Sequence, residues 1–183
     1  MRKKILWITE TAAMLALLVC LQWVGSQIPA PMVKQLVTGS CVNAVLAVTA
    51  LLVGLSGGLV VAVVSPVLAY ALGIAPQILT VPAIMVGNAL YVVVLYLLSR
   101  KALWQRITAW VLASVAKFAA LYTIVVVLIC GVFSEKLLAA GTLKAPMLKA
   151  LPATFSWPQL VTALIGGALA LLILPVLRKA LHK

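Results

Sequence analysis

Of 183 residues, 66% are hydrophobic and only 9% are charged, so a water-soluble core cannot hold the apolar side chains and composition excludes an ordinary soluble domain. A net charge of +12 would point to nucleic acid in a soluble chain, but here the bases stand mostly beside apolar stretches, where they orient a protein in lipid. The expectation is an all-α integral membrane protein forming one domain over residues 1–183, with the bilayer as its solvent and no nucleic-acid partner.

In chain order, the first apolar stretch, 5–25, follows Arg2, Lys3 and Lys4. A basic start with an apolar body also fits a secretory leader, but no convincing cleavage site precedes a soluble domain, so the stretch is read as a membrane helix. The second and third stretches, 38–53 and 58–72, carry Asn43 and Tyr70 and are short for a straight span. Such helices tilt, or line a cavity instead of meeting lipid throughout. The fourth, 78–98, carries Asn88; the fifth, 104–133, carries Lys117; the sixth, 157–177, opens on Trp157 and Gln159. Together they predict a bundle of six transmembrane helices.

Bases accumulate on the cytoplasmic side of membrane proteins. With both termini inside, that side holds Arg2, Lys3, Lys4, Arg100, Lys101, Arg106, Arg178, Lys179 and Lys183, against Lys34, Lys136, Lys144 and Lys149 outside. The asymmetry predicts cytoplasmic termini. Two connections, 26–37 and 134–156, are then long and external, which makes the outer face the place to look for a ligand. The later one reads either as an amphipathic lid helix interrupted at Pro146 or as a surface loop.

At 1.5 Å per residue, Lys117 lies roughly 16 Å along its helix from Arg106, and Asn88 as far from Gln77 in the opposite direction. The two meet near mid-membrane. The same spacing puts Asn43, Tyr70, Trp157 and Gln159 nearer the outer surface, with Gln27 and Gln35 placed to close over them. These residues predict a concave site lined by aromatics and a few polar groups, with one cation at its floor. A structural reading stands beside each: Lys117 pairing with Glu10, the asparagines bonding between helices, and Trp157 anchoring at the interface.

Several chemistries lack their residues. No G-x-x-x-x-G-K-[ST] phosphate loop and no H-E-x-x-H is present, and the one histidine is His182 in the basic tail. Cys20, Cys41 and Cys130 fall at unrelated spacings, as small buried hydrophobes do. The expectation is no catalytic residue, no metal, no cofactor and no enzyme.

The "TAAMLA" segment (11–16), the polar outer connections, and the stretch from 38 to 77 with its glycine-rich inner turn and "SP" resemble the S components of energy-coupling factor (ECF) transporters. The resemblance implies a substrate-capture subunit of an ABC importer in the bacterial cytoplasmic membrane. Such a subunit binds a vitamin or related micronutrient outside and docks on a T component bearing two ATPases. It also implies that Ala12 and Ala16, spaced A-x-x-x-A, form the docking face. A lysine held in low dielectric favours a counter-charge, so Lys117 points to an anionic substrate. Two other readings stay open, a stand-alone small carrier or channel and a scaffold subunit of an envelope complex.

Overall fold

The computed structural model describes residues 2–74, 77–99 and 102–181; Arg100, Lys101, His182 and Lys183, which entered the sequence reading, lie outside them. The described residues form α1 (Arg2–Ser26), α2 (Pro31–Leu52), α3 (Leu55–Ala71), a 3₁₀ turn (Ile78–Thr80), α4 (Val81–Leu98) and α5 (Leu103–Leu121). A π segment (Tyr122–Val132), α6 (Ser134–Ala139), α7 (Met147–Phe155) and α8 (Trp157–Ala180) follow. No strand occurs among them. Five helical stretches are long and apolar enough to cross a membrane, and Leu55–Ala71 is a shorter apolar helix.

Boundaries follow local chemistry. The region 26–37, expected as a long connection, is mostly helix, because Pro31 occupies the first turn of α2, where its missing N–H costs nothing and its fixed φ suits the helix. The α2–α3 turn needs Gly54 at φ +108, a conformation that side chains disfavour. α3 ends in a Schellman-type closure around Gly73 (φ +71), the Ile74 N–H donating to the Ala69 carbonyl at 2.8 Å. Pro146 precedes α7 as its N-cap residue, so it starts the second short helix of the 134–156 region and does not interrupt it.

The π segment has a cause in the packing. Ala109, Ala113, Lys117, Leu121, Val125 and Ile129 are all buried, a strict four-residue period. With 3.6 residues per turn, each four-residue step on an α-helix drifts by about 40°, which would carry the buried stripe round to lipid. A π winding, closed i→i+5, drifts the other way and brings Val125 and Ile129 back toward the bundle.

Two apolar clusters result. One end of the bundle is packed around Leu18, Leu46, Val61, Tyr91, Val92 and Leu95. Helices approach closely there at small residues: a methyl on Gly166 of α8 would stand 2.5 Å from the Ser40 carbonyl oxygen and 2.8 Å from the Ala44 nitrogen of α2. At the other end Ala83, Leu121, Val125, Ile129, Leu143, Leu151 and Phe155 form a second cluster beneath α7. Between this cluster and α2 the helices stand apart.

Candidate functional site

A cavity of about 650 Å³ fills that space. A broad face of α2 supplies Pro31, Lys34, Gln35, Thr38 and Val42, at the i, i+3, i+4, i+7 recurrence of one helical stripe, with Gly39 and Asn43 beside it. α4 and α5 contribute Ile84, Asn88, Lys117 and Leu121, and α7 covers the cavity with Met147, Leu151, Thr154 and Phe155.

At the floor, Lys117 is 3% exposed. Its Nζ donates to Asn43 Oδ1 at 2.6 Å and Asn88 Oδ1 at 2.7 Å, and lies 5.7 Å from the centre of the Tyr91 ring. Each asparagine is turned toward the ammonium by its other end. Asn43 Nδ2 donates to the Gly39 carbonyl at 2.9 Å and to Thr162 Oγ1 at 3.4 Å, and Asn88 Nδ2 makes a long bond to the Ala62 carbonyl at 3.5 Å. The sequence also allowed a pairing with Glu10, but both acceptors within hydrogen-bond distance of Nζ are neutral amides. An ammonium has three N–H donors. Two are engaged by the amides, and among the described residues no carboxylate lines the cavity. Lys117 is thus a cation with one N–H beyond its two amide bonds, in the wall of a space large enough for a small molecule.

The expected meeting of Lys117 with Asn88 is present. Asn43 is deeper than the sequence placed it, since α2 starts at Pro31 and twelve residues of helix, roughly 18 Å, precede it. Gln35 and Gln159 line the cavity, and both reach α7 by long bonds from Nε2 to the Thr154 carbonyl, at 3.4 and 3.3 Å. Three predicted residues stand elsewhere. Trp157 is 53% exposed at the start of α8 and Tyr70 is 39% exposed near the end of α3, neither among the lining residues. Gln27 also lies outside the wall, and its Nε2 donates to Ser26 Oγ at 3.0 Å.

Sequence reasoning missed Gln22, Lys34, Thr38 and Thr80 in the wall, and Gln77, whose Nε2 donates to Met147 Sδ at 2.8 Å. The α2 members were recoverable from the proline at its first turn, which sets the helical phase of 31, 34, 35 and 38. The contribution of α7 had no comparable signal. Ala12 and Ala16 are both exposed on α1, whose buried residues are Thr11, Leu18 and Gly25.

A family model described as "ECF transporter, substrate-specific component" matches residues 10–178. Comparisons with curated proteins and with solved structures each returned no match.

Proposed function

The chain belongs to the substrate-specific components of ECF transporters, a multi-pass membrane subunit of a transporter, and from that premise we propose that its cavity captures a small anionic micronutrient, vitamin-like in size, from the outer side of a bacterial cytoplasmic membrane. The observation that carries this reading is the Lys117 ammonium, held by two neutral amides with a donor to spare in a cavity whose described lining has no carboxylate. A cationic substrate would be repelled by that ammonium. An anion supplies the missing counter-charge, and a hydrogen bond to a charged group is worth about 1.5–3 kcal/mol.

Orientation follows the bases. Arg2, Lys3 and Lys4 begin α1 and Arg178 and Lys179 end α8, at the packed end of the bundle, whereas Lys34 lines the cavity. By the positive-inside rule both termini are cytoplasmic, the cavity faces out, and the shorter α3 completes six spans. The uncovered Ala12 and Ala16 let another helix come close, which supports their role in docking on a T component that carries two ATPases. Those partners supply the energy that this subunit has no residues to extract.

The test is purification from native membranes with neighbours intact. A T component and ATPases co-purify with the wild type, an Ala12→Leu/Ala16→Leu double variant loses them, and a small anion stays bound. Lys117→Met then weakens that anion by about tenfold to a hundredfold while the protein remains folded. Uptake into liposomes by the isolated chain would instead support a stand-alone carrier, and unchanged affinity in Lys117→Met would remove the anionic substrate.

A further inference from the structure

Three buried side-chain oxygens among the described residues have no hydrogen-bond partner: Gln22 Oε1, Thr38 Oγ1 and Ser65 Oγ. Ser65 is sealed within the bundle and is not among the cavity-lining residues, but Gln22 and Thr38 both line the cavity. They belong to one seam. Gln22 and Gly25 share a face of α1 at i, i+3, and Gly25 lies directly against the Thr38 side chain of α2, where a Cβ would collide with the hydroxyl.

Thr38 is the more telling of the two. A helical threonine ordinarily returns its hydroxyl to the carbonyl four residues back. Thr9, Thr11, Thr49, Thr108 and Thr154 all do so in this protein, at 2.6–3.0 Å. Thr38 does not, and neither does it bond any neighbour. A buried polar atom left without a partner is costly, so two on one cavity wall are groups that bond to whatever fills the cavity.

Resting on the reading of this cavity as the capture site, we infer that Gln22 and Thr38 determine specificity by hydrogen-bonding a polar group of the captured anion, Gln22 Oε1 as acceptor and the Thr38 hydroxyl as acceptor or donor. Thr38 stands five residues from Asn43 along α2, about 7.5 Å along the axis, and both line the cavity. The substrate class is therefore an anion with a hydrogen-bonding group within roughly 7–8 Å of its charged group along the bundle axis. Ile84, Leu121 and Phe155 line the α4, α5 and α7 side, so the rest of the molecule is apolar on that edge.

The probe is the molecule that the wild-type protein retains through purification, released by denaturation, identified by mass spectrometry and added back in titration calorimetry. Thr38→Val and Gln22→Leu are each expected to weaken its binding about tenfold, with Thr38→Ser restoring it. The thermal midpoint without the molecule should stay level or rise, because neither oxygen supports the fold. Affinities within twofold of wild type, a lowered midpoint with unchanged affinity, or a retained anion with no hydrogen-bonding group besides its charged one would each overturn the assignment while leaving anion capture standing. Full affinity in Lys117→Met, or a wild type that retains no anion, would remove the capture reading and this inference with it.

Discussion

The two ends of this bundle use their small and polar residues in opposite ways. At the packed end, glycines remove side chains so that backbones touch: Gly58 faces Ala50 and Val92, Gly166 faces the α2 backbone, and Gly167 faces the Trp110 ring. At the cavity end the same helices carry Gln22, Gln35, Thr38 and Gln159 instead, groups too long or too polar to be buried against one another. Close approach runs through the packed end, whereas at the cavity end it is confined to seams such as Gly25 against Thr38 and Gly39 against Thr162. Lys117 sits at the border, where the last pair of neutral amides holds a charge that apolar packing could not.

If that border is held by hydrogen bonds to the ammonium, Asn88→Leu should be the most damaging single change. It leaves a buried cation with one fewer acceptor and should cost about 2–3 kcal/mol, read from tryptophan fluorescence on denaturation in mixed micelles. The double variant Asn88→Leu/Lys117→Met should recover most of the loss. Equal destabilisation in single and double variants would mean that Asn88 acts by packing alone.

The packed end is challenged by Gly166→Ala. One methyl pressed on the α2 backbone should cost about 1–3 kcal/mol, and the strain also pushes on Asn43, whose Cβ lies 2.5 Å from the added carbon. A neutral result would show that α2 and α8 can separate freely and would erase the difference between the two ends. The smallest effect belongs to the cover. Gln159→Leu removes one long bond to the Thr154 carbonyl and should leave global stability within about 0.5 kcal/mol. Amide exchange across 147–155 should nonetheless quicken relative to α8.

Much of this arrangement was legible in the sequence, unevenly. The helical stretches followed from apolar runs, and the encounter of Lys117 with Asn88 followed from counting rise along two helices. The depth of Asn43 did not, because the polar residues of 26–37 read as a connection although Pro31 begins a helix. The exposed position of Tyr70 escaped as well, and for Trp157 the sequence left cavity and interface both open: residue type alone does not say which side of a helix meets lipid. The π segment left a trace in the four-residue spacing from Ala109 to Ile129, but that spacing is visible only once burial is known. The place of α7 over the cavity depends on contacts between distant residues, of which periodicity carries no record.

The change of winding after Leu121 separates two tasks that a uniform helix would have coupled. Upstream, the phase of the helix aims one ammonium at two amides; downstream, an independent phase presents Val125 and Ile129 to the apolar cluster that seats Leu151 and Phe155 of α7. A mutation that re-indexes residues 122–132 would shift the seat of α7 without turning the charge away from its partners. The cover of the cavity can thus be re-seated while the hold on the charged group stays intact.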